Sequence, residues 1–139
     1  MDLRQLTPDL AVSPQIEVAD VAALAQAGFR VLIDNRPDAE IGPDLASARM
    51  AEAAAASGLT FHYLPFQPAG ISPDLIQGFD AAVGDARGPV IAYCRSGTRC
   101  ATLWALTQAG RQPAETILAT AAGAGYDLAH IAPLLRGRG

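Results

Sequence analysis

The sequence predicts one α/β domain over residues 1–139, with a mostly parallel central sheet flanked by helices. Short apolar runs rich in β-branched residues, "VLI" at Val31 to Ile33 and "PVIAY" at 89–93, read as buried strands. Longer stretches of helical character separate them, which is the alternation a parallel sheet with crossover helices requires. The chain has 139 residues, 50% of them hydrophobic, and so the usual size and apolar content of a single core.

Each element follows from local signals. Glu17 to Ala27 carries apolar residues at helical spacing and is closed by Gly28, a residue suited to the left-handed position past a helix end. The strand at Val31 to Ile33 is bounded by Asp34, Asn35 and Pro37. Pro43 to Ser57 is an Ala-rich helix ended by Gly58, and "LTFHYLPF" is a strand candidate that stops at Pro65. After the loop "QPAGI", Ser72 offers an N-cap with Pro73 at the first helical position, so a helix is expected from Pro73 to about Val83. The strand "PVIAY" leads into a loop, Cys94 to Arg99, and a helix, Cys100 to Ala109, with Gly110 behind it. Pro113 to Leu135 reads as two short helices split near Gly123 and Gly125, and the final "RGRG" as a frayed tail.

Charge removes whole classes of partner. The formal net charge is -4, and all 10 basic side chains are arginines, which gives no electrostatic case for nucleic acid or an acidic membrane. "MDLRQLTPDL" lacks the pattern of a signal peptide and no apolar run approaches a membrane span, so a cytoplasmic protein is expected. With 2 cysteines and 2 histidines, His62 and His130, far apart in sequence, neither a disulfide framework nor a metal site is expected, and no cofactor is called for. Oligomeric state is left open. His62 reads as a strand residue and Trp104 as core packing.

The chemistry concentrates in "IAYCRSGTRC". A strand runs into a tight loop and then a helix N-terminus, where backbone N–H groups without helical partners converge and the dipole adds about half a positive charge. Gly97 permits the positive φ that aims successive amides inward, and the planar fork of Arg99 matches an oxyanion. Arg95, Ser96, Gly97 and Thr98 thus form a candidate anion cradle. Cys94 sits in the same field, which brings reactive thiols from about 8.5 down to roughly 3.5–7.5. A lone cysteine after a strand is ordinarily core filler, but two arginines crowded around it have no purpose in a purely structural turn. Cys94 as nucleophile and Arg99 as oxyanion clamp, acting on a small anionic or phosphorylated substrate, is the reading that uses these residues. Asp34 and Arg36, at the carboxyl end of a predicted parallel strand, either line the pocket or form an ion pair bracing the turn before Pro37.

At these residues the chain resembles the phosphatase-like domain of beta-lactamase hydrolase-like proteins, a bacterial relative of tyrosine and dual-specificity phosphatases. The likeness runs through "LTPDLAVSPQI", "GFRVLIDNRPDAE", "FHYLPF", "YCRSGTRC" followed by "LWAL", and "AGYDL". It implies a tyrosine-phosphatase-like fold, Cys94 as nucleophile, Arg95 to Thr98 as phosphate cradle, Arg99 as transition-state clamp, and a cysteinyl-phosphate intermediate opened by water. There are departures. Four residues separate Cys94 from Arg99, one fewer than in tyrosine phosphatases. Tyr93 replaces a histidine, Cys100 stands where a hydroxyl residue often assists the departing thiolate, and Gly70 falls at the place of the general-acid aspartate. Asp74 is the nearest substitute acid.

Two alternatives stay open. "YCRSGTR" also resembles the active loop of rhodanese sulfurtransferases, in which the same cysteine would carry a persulfide. A catalytically weak anion- or redox-sensing module is the other, with Cys100 as a resolving thiol about one helical turn beyond Cys94.

Overall fold

Five strands pair into a single sheet in the computed structural model, which describes residues 1–138. They are β1 (Arg4–Thr7), β2 (Leu10–Ser13), β3 (Val31–Asp34), β4 (Thr60–Tyr63) and β5 (Val90–Tyr93), in spatial order β1-β2-β5-β3-β4. All pairings are parallel except β1 with β2. Six α-helices accompany them: α1 (Val18–Gln26), α2 (Ser47–Ala56), α3 (Pro73–Gly84), α4 (Thr98–Gln108), α5 (Ala114–Gly123) and α6 (Ala132–Arg138). None is long and apolar enough to cross a membrane.

The period-two alternation of the strands builds two cores. Leu10, Val12, Val31, Ile33, Val90, Ala92 and Cys94 face the layer of α3 to α6. Ala11, Leu32, Ile91 and Tyr93 face the opposite layer, with Val21 and Leu24 of α1 and Met50 and Ala54 of α2. Sheet alternation alone therefore sends Cys94 to one face and Tyr93 to the other. Helix α4 is buried at every position from Cys100 to Thr107, because it is the central helix of its layer, packed against α3, α5 and α6.

Topology then fixes where chemistry can sit. β5 is last in sequence but central in space, between the carboxyl ends of β2 and β3. The helices that follow β2 and β3 lie on one face and the helix that precedes β5 on the other, so the loop after β5 opens into the crevice where the winding reverses.

The mostly parallel α/β architecture is as the sequence implies, with four local differences. The β1–β2 hairpin was not foreseen, since each strand is only four residues long and Pro8 and Pro14 interrupt the pattern; it forms because the Thr7 hydroxyl accepts from the Asp9 and Leu10 amides at 3.1 and 3.0 Å. The expected helix from Pro43 is divided into a 3₁₀ turn, Pro43–Leu45, and α2, because the Asp38 carboxylate takes the Ser47 amide at 2.7 Å and its hydroxyl at 2.6 Å and starts a new helix there. The predicted helix from Cys100 begins at Thr98, with Gly97 as its N-cap. Residues 136–138 continue α6 instead of fraying, anchored by buried Leu135 and an Arg136–Glu115 ion pair at 3.2 Å, while Gly139 lies outside the described residues. Ser72 caps α3 as expected, its hydroxyl accepting from the Leu75 amide at 3.1 Å.

Candidate active site

Strand β5 delivers Cys94 to the floor of a cup, and Gly97 turns the chain over it. Gly97 has φ +91°, the left-handed conformation that only glycine adopts cheaply, and its amide donates to Cys94 Sγ at 3.1 Å. The Cys94 amide is tied to the Ser13 carbonyl of β2 at 3.4 Å, and the Gln15 amide donates to the Arg95 carbonyl at 3.3 Å. Within the described residues no acceptor engages the Arg95 or Ser96 amide, which leaves both available to an anion. Ser96 and Thr98 bind each other instead, Oγ to Oγ1 at 3.0 Å, and Ser96 Oγ also accepts from the Thr98 amide at 3.4 Å.

The sulfur is fully buried, yet its surroundings favour the anion. Its pKa is pulled from the ordinary thiol range to about 5, first by a hydrogen bond from the Cys100 thiol and then by the amides of Cys100, Arg99 and Gly97, against the opposing effect of burial. Cys100 is itself pushed well above the usual thiol range, foremost by complete burial, so it stays protonated and able to donate.

Arg99 is held rigidly at the rim. Its Nη2 donates to Glu40 Oε1 at 2.7 Å, and its Nη1 to Glu40 Oε2 at 3.0 Å and to the Phe66 carbonyl at 3.0 Å. These contacts orient the guanidinium plane, and they hold the Glu40 carboxyl below its usual range, chiefly through Arg99 with smaller contributions from Arg36 and Arg95. Arg95 is exposed.

Other sequence candidates fall in different places. The expected Asp34–Arg36 ion pair is replaced by a backbone contact: Asp34 Oδ1 accepts from the Arg36 amide at 2.9 Å. The Arg36 guanidinium turns instead to Glu40, with Nε 3.7 Å from Oε1 and Nη2 donating to the Glu40 carbonyl at 2.9 Å, and to Gln15 Oε1 at 3.2 Å. The turn before Pro37 places Glu40, not Asp34, within reach of the guanidinium. Asp74 is exposed in the first turn of α3, and no hydrogen bond or ion pair joins it to the cup among the described residues. Trp104 is core, and His62 lies half-buried in β4. No group of three or more His, Cys, Asp or Glu side chains gathers to hold a metal among the described residues.

Two contributors escaped sequence reasoning. Glu40 carried one signal, its i,i+4 spacing from Arg36. Tyr126, from "AGYDL", donates its hydroxyl to the Ser96 carbonyl at 3.1 Å, and nothing in its local sequence announces that role.

Asp34 yields a stability prediction. It is 2% exposed, and burial pushes its carboxyl up to about 6 against the stabilising Arg36 amide. A raised carboxyl favours the folded state only while protonated, so its cost to stability grows from about pH 4 to about pH 6 and is constant above. Asp34→Asn keeps the Oδ1 acceptor without the charge. Its advantage over wild type in thermal or urea unfolding is expected to grow across that window, reaching on the order of 2–3 kcal/mol at pH 8. A pH-independent difference would show that Asp34 does not titrate as described.

Comparisons with known proteins agree with this architecture. The family model described as the phosphatase-like domain of beta-lactamase hydrolase-like protein matches residues 2–111. The beta-lactamase hydrolase-like protein of Agrobacterium fabrum is 33% identical over 100 residues, which cover 72% of this chain and 23% of that protein. The chain therefore spans less than a quarter of that relative's length. Among solved structures, a candidate phosphatase of Neisseria meningitidis superposes with a TM-score of 0.87 at 33% identity, covering 100% of this chain and 99% of that one. TpbA of P. aeruginosa, solved in complex with pTyr, shares the fold at 17% identity with a TM-score of 0.66, covering 98% of this chain and 83% of that one.

Proposed function

The chain belongs to the phosphatase-like domain family of beta-lactamase hydrolase-like proteins, and we propose that it acts there as a cysteine-dependent phosphoric ester hydrolase. One observation carries the proposal: a buried sulfur that accepts from the Gly97 amide at 3.1 Å, at the base of a loop whose Arg95 and Ser96 amides are free to bind an anion. A thiolate in a site that binds oxyanions is the arrangement nucleophilic phosphoryl transfer needs.

The substrate's non-bridging oxygens sit against the Arg95 and Ser96 amides and the Arg99 guanidinium, in the cradle that runs from Arg95 to Thr98. The Cys94 thiolate attacks phosphorus in line, an S–P bond forms, the P–O ester bond breaks, and the leaving oxygen takes a proton. Asp74, exposed in the first turn of α3 and without a contact to the cup, is the proposed donor of that proton by way of solvent water. Water then attacks phosphorus, the S–P bond breaks, and inorganic phosphate leaves with the thiolate restored. The Cys100 thiol, facing the departing sulfur, stabilises the charge that reappears on it. TpbA was solved with pTyr, and an aryl phosphate is the substrate class proposed here. Its leaving group demands the least proton assistance, which suits a site where Asp74 stands away from the cup and Glu40 is held in an ion pair with Arg99.

The loop length shared with sulfurtransferases makes the decisive test a paired one. The protein is offered an aryl phosphate in one reaction and thiosulfate with a thiol acceptor in another, and Cys94 is examined by mass spectrometry after rapid acid quenching. Phosphate release with a phosphorylated Cys94 is the expected result. Sulfur transfer with a persulfide on Cys94 would replace the proposal with the sulfurtransferase reading, and inertness toward both would leave an anion- or redox-sensing module.

A further inference from the structure

We propose that Tyr126 is a positioning residue of the cup, whose hydroxyl, by donating to the Ser96 carbonyl, fixes the loop conformation in which the Gly97 amide reaches the Cys94 sulfur. The inference rests on the phosphatase reading only for its consequence in turnover.

Three observations support it independently of the reaction. The Tyr126 hydroxyl is pressed directly against Gly97: a Cβ at that position would overlap it. The same glycine supplies the amide bonded to Cys94, so the phenol and the sulfur grip one short segment from opposite sides. Tyr126 is itself immobilised, 5% exposed, with the Arg4 guanidinium 5.2 Å from its ring centroid and Arg4 Nη1 donating to the Ala124 carbonyl at 3.2 Å. A residue of β1 thus clamps the segment after α5 onto the back of the cradle.

The physical reason is the stiffness of the cup. Ser96 and Gly97 are adjacent, and a loop with a left-handed glycine at its apex has competing backbone conformations of similar energy. Anchoring the Ser96 carbonyl selects the conformer in which the following amide points inward. Without that anchor the carbonyl turns to water and the amide drifts from the sulfur, which loses part of its stabilisation as an anion.

The test compares wild type with Tyr126→Phe, which retains the ring beneath Arg4 and removes only the donor. The first readout is the ultraviolet absorbance of the thiolate as a function of pH, with the Cys94→Ser form as blank, which needs no substrate. The titratable and charged groups around the cup, Cys100, Arg99 with Glu40, Arg95 at the rim and Asp34 beyond Cys100, are all kept. Tyr126→Phe is expected to raise the half-ionisation pH of Cys94 by about one unit and to lower kcat with an aryl phosphate roughly tenfold at little cost in KM. Ile117→Val, which removes one methyl group from the core in α5 and no hydrogen bond of the cup, is expected to leave the titration where it is in wild type. A Tyr126→Phe titration that superimposes on wild type overturns the proposal, and so does an equal shift in Ile117→Val. Failure of the phosphatase reading removes the kcat arm alone, because the spectroscopic titration still decides whether Tyr126 shapes the cup.

Discussion

Cys94→Ser is expected to lower kcat for an aryl phosphate roughly 10⁴-fold or more, the scale of loss when a covalent nucleophile is removed. Serine fits the space, since it is smaller than cysteine by little and the position is completely enclosed. It fails chemically, because the field that brings a thiol to about 5 leaves an alcohol un-ionised at neutral pH. The cup itself is retained, as the Arg95 and Ser96 amides and Arg99 are untouched, so inorganic phosphate should still raise the melting temperature of the variant. Turnover within tenfold of wild type would show that Cys94 is not the nucleophile.

The same substitution carries a pH signature. A thiol whose pKa is depressed in the folded protein contributes stability that is full above the unfolded value near 9 and is lost as pH falls through about 5. The stability of wild type relative to Cys94→Ser should therefore shift in favour of wild type as pH rises from about 5 to about 9. Unfolding curves at several pH values across that interval measure it, and a flat difference contradicts a stabilised thiolate.

Arg99→Lys is the second large effect, with kcat/KM expected to fall roughly 10²–10³-fold despite the retained charge. The guanidinium reaches both Glu40 oxygens and the Phe66 carbonyl, and these three bonds at 2.7–3.0 Å define its plane. A lysine ammonium is a point charge on a flexible stem and cannot hold Glu40 bidentately while presenting two parallel donors to phosphate. Glu40→Gln should reproduce part of the loss by loosening the same fork. A lysine variant within threefold of wild type would mean that Arg99 supplies charge only, and the positional role assigned to Glu40 would fall with it.

Much of the site was legible because it is local. Cys94, Arg95, Ser96, Gly97, Thr98 and Arg99 are consecutive, and a strand, a glycine able to take positive φ and a helix start are enough to converge their amides. The contacts that orient them were less accessible. Glu40 lies 59 residues from Arg99 and Tyr126 lies 30 from Ser96, separations at which spacing rules carry no information. The β1–β2 hairpin was missed for a related reason, because each strand is four residues long and followed by a proline, and β2 is held by its parallel pairing with β5 as much as by its own pattern.

By itself, the amino-acid order determined the alternating α/β plan, the helix boundaries marked by Ser72, Gly28 and Gly58, and the tight turn at Gly97 between a strand and a helix start, since each depends on dihedral preferences and neighbours a few residues apart. Tertiary structure alone decided that β5 occupies the middle of the sheet, that Arg36 turns from Asp34 to Glu40, and that a phenol from after α5 reaches the back of the cradle. Those outcomes come from packing between segments distant in the chain, where the partner that wins is the one that three-dimensional burial brings within hydrogen-bonding distance.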